Sequence, residues 1–197
     1  MRMQMTRMSR MILGGLVLLA TPAVGQDKKD LPPDFLKFSK PGPEHKRLGV
    51  LVGTWRTTVK FYTAPDQPPQ ESKGTMTGKW ILVERFVAQH YKGEAMGQPF
   101  EGIGLVGFDN HRKKYTATWT DSMTTAVTTG LGEYDSDKRT FTFHNEVFDP
   151  YVGVKVKTRD VWRIIDNDTQ VQEMFRRTPT AKEDFMVLEI HYKRQKS

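Results

Sequence analysis

The chain has 197 residues, no cysteine and a formal charge of +7 near neutral pH. That length suits one domain with a substantial core, and the missing cysteines exclude disulfides and thiolate chemistry. Basic residues such as Arg56, Lys79, Arg112, Lys155 and Arg176 are scattered rather than gathered on one helix or stripe, which speaks against nucleic acid as a partner.

Residues 1–25 read as a secretory signal peptide. Arg2, Arg7 and Arg10 precede an apolar run from Met11 to Ala20, and Ala23-Val24-Gly25 offers small residues to a signal peptidase. The run is too short to span a bilayer, and no cysteine stands at the cleavage site to take a lipid anchor. Cleavage removes three arginines and no acid, taking the charge from +7 to +4. The expected product is soluble, with no transmembrane segment, and periplasmic or secreted.

Residues 26–42 hold Lys28, Lys29, Asp30, Pro32, Pro33 and Pro41 without an apolar period. A flexible linker without a helix is expected there, which Phe35, Leu36 and Phe38 can pin to a surface. The domain itself is expected over 43–197. It opens on Pro43 to Trp55, where Leu48, Leu51 and Val52 share one helix face and Glu44, Lys46 and Arg47 the other. Pro43 suits a first helical turn, and Gly53 suits the exit into a strand.

From Trp55 onward the pattern alternates. Trp55, Thr57, Val59 and Phe61 share one face, with Arg56, Thr58 and Lys60 opposite. Thr75 to Tyr91 accommodates two strands or one bent strand; Trp80, Leu82, Glu84, Phe86, Ala88 and His90 alternate with Ile81, Val83, Arg85 and Val87. Both sets are apolar near the middle, so periodicity leaves the inward face open. Gly102-Ile103-Gly104-Leu105-Val106-Gly107 matches the dinucleotide-binding glycine spacing, but a charged turn and another strand follow instead of a helix. Glycines in such a strand suit bending or close approach of a neighbouring side chain.

Tyr115 to Asp121 places Tyr115, Ala117, Trp119 and Asp121 on one face and three threonines on the other. Further strands are expected over Thr125–Leu131, Thr140–Phe148, Val154–Ile165, Gln170–Thr178 and Phe185–Arg194. About nine or ten strands, one short N-terminal helix and no βαβ alternation predict an all-β, closed antiparallel barrel with the helix closing one end.

Chemistry is sparser than architecture. His45, His90, His111, His144 and His191 show no metal-type spacing, so no metal site is expected and the cofactor is unknown. Leu188, Ile190 and Tyr192 read as the core face of the last strand, which turns His191 outward and away from any haem inside. Alternating Arg and Glu on adjacent strands read as an outer ladder of cross-strand ion pairs. The candidate ligand-binding residues are Trp55, Trp80, Tyr115 and Trp119 as an apolar wall, with Asp121 and Arg159 orienting a polar end. Asp121 equally fits the start of the turn at Ser122-Met123. Three functions remain open on these residues: a carrier of a small, partly apolar molecule; an enzyme using Asp121 or Glu189 as acid or base; and a structural barrel filled by its own side chains.

An ordered set of residues resembles a bacterial family known only as a domain of unknown function, with a lipocalin-like (calycin) barrel. The set comprises Pro43-Glu44-His45 with Leu48 and Leu51-Val52-Gly53-Thr54-Trp55; Gly97 to Gly107-Phe108-Asp109; Tyr115 and Trp119-Thr120-Asp121-Ser122; Asp149-Pro150 to Gly153 with Arg159; and Glu189-Ile190 with Tyr192 and Arg194. The resemblance implies a barrel closed by the N-terminal helix around an internal cavity, similar in outline to fatty-acid-binding proteins and to the haem-binding nitrobindins. With the nitrobindins it shares only the Gly-x-Trp start at Gly53 and Trp55. No activity comes with the resemblance, because fold does not give function.

Overall fold

The structure, a computed structural model, describes residues 32–64, 66–149 and 153–196. Two short helices, α1 (Pro33–Ser39) and α2 (Pro43–Arg47), and a 3-10 turn (Leu48–Leu51) precede ten strands. These are β1 (Gly53–Phe61), β2 (Gln70–Ile81), β3 (Phe86–Ala95), β4 (Gln98–Asp109), β5 (Lys114–Asp121), β6 (Thr128–Asp135), β7 (Thr140–Asp149), β8 (Val154–Ile164), β9 (Thr169–Arg177) and β10 (Phe185–Arg194). Each strand pairs with its sequence neighbours and β1 meets β10, giving the closed antiparallel barrel that the alternation predicts. The expected signal peptide and the first residues of the expected linker lie outside the described residues. Among those described, no helix is long and apolar enough to cross a membrane.

Helix α1 departs from the irregular linker expected over its span. Its own sequence has little periodicity, and the barrel supplies what holds it. Asn110 Nδ2 donates to the Phe38 and Lys40 carbonyls, each at 2.9 Å, and Arg85 Nη2 donates to the Ser39 carbonyl at 2.8 Å. These bonds satisfy carbonyls that a helix end leaves without partners.

Strands that alternate in direction sort their connections. Those after β2, β4, β6 and β8 share one end with α2 and the 3-10 turn, and those after β1, β3, β5, β7 and β9 lie at the other. Leu48 and Leu51 seal the first end and are 0% and 2% exposed, each contributing roughly 1.5–3 kcal/mol by burial. Hydrogen bonds hold this lid at its edges. Gln170 Nε2 donates to the Val50 carbonyl and Arg194 Nη1 to the Val52 carbonyl, both at 2.7 Å. Gly53 then turns the chain into β1 with φ of +129°, a conformation that favours glycine.

Register decides which residues face inward. Trp80 on β2 pairs with Val87 on β3, so the inward set changes from even numbers to odd across the Leu82–Arg85 turn: Met76 and Trp80 before it, Val87, Gln89 and Tyr91 after it. Next to the lid the interior is packed with rings. Tyr115 meets Phe108 at 4.9 Å and Phe141 at 5.0 Å in edge-on contacts, and Trp162 stacks on Tyr192 at 5.4 Å. The outer wall carries the predicted ion-pair ladder, including Lys60–Glu189 at 3.1 Å and Arg163–Glu173 at 2.6 Å.

Candidate functional site

The lumen brings five of the six candidate residues together in two groups. Trp55, Trp80 and Tyr115 stand near the lid, and Trp119 and Asp121 face inward toward the opposite end. Trp55 is 1% exposed, with the Arg194 guanidinium 4.0 Å over its ring. Trp80 packs against the same core beside the lid. The Tyr115 hydroxyl accepts from Arg47 Nη1 at 2.9 Å and donates to the Glu44 carbonyl at 3.3 Å. Burial pushes its pKa up, and Arg47 partly offsets that. These three residues form a closed floor.

Trp119 lies flat over β4. A Cβ on Gly102 would sit 2.2 Å from the indole ring, so the close approach expected of these glycines is what they permit. The indole Nε1 donates to Asp121 Oδ2 at 3.2 Å, while Asp121 Oδ1 accepts from the Met123 and Thr124 amides at 3.0 and 3.1 Å. The turn and lumen placements of Asp121 therefore coexist in one carboxylate.

Arg159 stands apart from the other five. It is on the outer wall, over the Phe175 ring at 4.2 Å, and pairs with Asp184 through Nε at 3.2 Å and Nη2 at 3.1 Å. Glu189 is also outside, paired with both Lys60 and His191, so its carboxylate faces away from the lumen.

The inward position beside Arg159 belongs to Asp160. Its signal in the sequence is the alternation of Val156, Thr158, Asp160, Trp162 and Ile164, which places a carboxylate on a face otherwise read as core. Asn145 Nδ2 donates to Asp160 Oδ2 at 2.9 Å and to Thr158 Oγ1 at 3.1 Å, whereas Asp160 Oδ1 is buried with no hydrogen-bond partner. Burial pushes the Asp160 pKa up to about 6, with the Asn145 bond pulling the other way. Thr57 Oγ1 and Tyr91 Oη are likewise buried without a well-formed hydrogen bond; burial pushes the Tyr91 pKa up, and nearby Thr57 works against it. Tyr192, between these groups, donates to Gln172 Oε1 at 2.7 Å, and burial raises its pKa strongly.

The lumen thus has two unlike halves. At the floor, Trp55, Phe141 and Leu48 are all but inaccessible. Farther from the lid, Val59, Trp119, Asp160, Gln172, Met174 and Ile190 point inward yet keep accessible surface, so the interior is less tightly closed there than at the floor. A groove of about 1080 Å³ also lies over β5, β6 and β7. Charged outward side chains such as Arg112, Lys114, Glu133 and Glu146 line much of it, and Lys114 pairs with Glu133. Its charge neutralises itself across the wall, and among the described residues the buried side-chain polar atoms short of a hydrogen bond face the lumen. Among the described residues, no group of three or more His, Asp or Glu is placed to hold a metal ion.

A closed ten-stranded antiparallel barrel with a helical lid defines a lipocalin-like protein. More particularly, the chain belongs to the family described as Protein of unknown function (DUF1579), whose model matches residues 40–194. A search of curated proteins finds no match. Among solved structures, the chain is similar to Rv2717c from M. tuberculosis, at a TM-score of 0.57 and 14% identity over 80% of this chain and 100% of that one. It is also similar to the S-type phycobiliprotein lyase CPES from Guillardia theta, at a TM-score of 0.52 and 13% identity over 85% of this chain and 99% of that one. At these identities the likeness shows the fold.

Proposed function

We propose that this protein is an exported barrel that binds a small, partly apolar molecule in the half of the lumen away from the lid. The observation that carries this reading is the contrast between the sealed floor and the inward-facing Val59, Trp119 and Ile190, which retain accessible surface although they point into the barrel. Apolar surface lining a concave, partly polar interior is the usual composition of a small-molecule site. Both oxygens of Asp121 already accept hydrogen bonds, which favours a wall and turn role over acid–base chemistry for that residue. The signal-like residues 1–25 support export.

Native mass spectrometry of protein purified from its own host tests binding. A non-covalent adduct is expected, and Val59→Trp, which fills the lumen without touching the floor, should abolish it. Unliganded protein, together with no thermal shift across lipids and aromatic acids, would overturn the reading. The intact mass of the same sample tests export, with a mature chain beginning at Gln26 as the expected result.

A further inference from the structure

Three polar atoms in the lumen are short of hydrogen bonds. Asp160 Oδ1 is buried without a partner, and Thr57 Oγ1 and Tyr91 Oη are buried without a well-formed bond, the two hydroxyls lying close enough that Thr57 works against the rise that burial imposes on the Tyr91 pKa. The fold brings them toward one another. Thr57 pairs with Gly74 on β2, and the Tyr91 hydroxyl rests over that same glycine: a Cβ on Gly74 would lie 2.3 Å from Oη. Directly across from Thr57 on the other side stands Tyr192, whose hydroxyl donates to Gln172, and Gln172 pairs with Trp162, the inward neighbour of Asp160 on β8. The three atoms therefore border the region around the Tyr192 hydroxyl, which is itself committed to Gln172.

Charge narrows the class of partner. Asp160 receives its one hydrogen bond from neutral Asn145. The arginines nearest the lumen are engaged elsewhere: Arg176 with Asp149 at 2.5 Å, Arg47 with Tyr115, and Arg194 with Trp55. A carboxylate without a cation attracts a positive donor and repels an anion. One carboxylate oxygen and two hydroxyl oxygens are three acceptors, and a primary ammonium carries three N–H donors.

We propose that the lumen receives an organic primary ammonium with an apolar body, its N–H groups accepted by Asp160, Thr57 and Tyr91 and its body lying against Val59, Trp119 and Ile190. This assignment rests on the small-molecule reading above and names the head group for it. A carboxylate of the same length would meet Asp160 as a like charge, and an alcohol would supply a single donor.

Three probes of one length separate the possibilities: octylamine, 1-octanol and octanoate, titrated calorimetrically into the full mature chain near neutral pH. Octylamine should bind on the order of tenfold tighter than either of the others. Asp160→Asn should remove that preference, with its fold checked by thermal melting. Tyr91→Phe, which deletes one hydroxyl without touching the carboxylate, should weaken octylamine binding. Binding of 1-octanol or octanoate as tight as that of octylamine, or a preference that survives in Asp160→Asn, would overturn the ammonium assignment and leave the small-molecule reading standing. Failure of all three probes to bind would overturn both.

Discussion

The Tyr115 hydroxyl ties the lid to the barrel wall, accepting from Arg47 Nη1 at 2.9 Å on one side and donating to the Glu44 carbonyl at 3.3 Å on the other. Both partners belong to α2, so one wall residue bonds the helix at two points beside the 3-10 turn that seals the floor. Tyr115→Phe keeps the ring contacts with Phe108 and Phe141 but deletes both bonds. It should cost about 1–2 kcal/mol, a fall of several degrees in melting temperature, with the barrel's circular dichroism unchanged. An unaltered melting curve would mean that lid packing alone holds α2.

Asp160 makes a pH-dependent prediction of unusual sign. Its folded-state pKa is pushed up to about 6, above the ordinary 3.8, so between these values the folded chain holds a proton that the unfolded chain has lost. Stability from this group therefore rises as pH falls through 6 toward 3.8, and the buried charge is a net cost at neutral pH of about 3 kcal/mol at most. Asp160→Asn should be the more stable protein near neutral pH, and its advantage should vanish below about pH 4. Urea titrations of both proteins across that range provide the check; a constant difference would rule out a buried charge.

His45 has the opposite sense. Its ring is 4% exposed, sits edge-on to Phe108 at 5.7 Å, and accepts from the Gly42 amide at 3.0 Å through Nδ1. Burial lowers its pKa below 6.5, although nearby Glu44 and a backbone contact to Phe108 oppose this. The unfolded chain takes up the proton first, so the contribution of His45 is complete above about pH 6.5 and is lost as pH falls toward the lowered value. Compared with His45→Phe, the wild type should lose relative stability as pH falls below about 6.5. Parallel melting profiles for the two proteins would contradict it.

The β2–β3 turn holds a local cost. Leu82, Val83 and Glu84 have φ of 50°, 56° and 56°, and Val83 is 82% exposed, so its branched side chain gains little burial in return. Val83→Asn, which tolerates this conformation better, should stabilise the protein by about 1 kcal/mol. Its melting temperature should rise by a few degrees; a fall would show that Val83 makes a contact worth more than the strain.

Most of the architecture is legible along the chain because a barrel repeats one simple rule. Trp55, Thr57, Val59 and Phe61 alternate with polar residues, and β1 faces the lumen as that alternation says. The last strand behaves likewise, with Tyr192 inside and His191 outside against Glu189. The rule fails where two adjoining strands are apolar on both faces. Between Trp80 and Val87 the inward parity changes, and only their pairing reveals it. Helix α1 was illegible for another reason: the donors that stabilise it, Asn110 and Arg85, come from distant turns.

The same division runs through the site. A closed antiparallel barrel, its helical lid and the shared face of Tyr115 and Trp119 are legible along the chain, because hydrophobic period and turn residues act locally. What the closed barrel adds is that Arg159 pairs with Asp184 on the outer wall, that Tyr115 bonds the lid, and that Thr57, Tyr91 and Asp160 are left short of hydrogen bonds. Alternation tells which residues share a face; whether a polar atom on that face finds a partner depends on strands far apart in the chain, and that is settled only when the barrel closes.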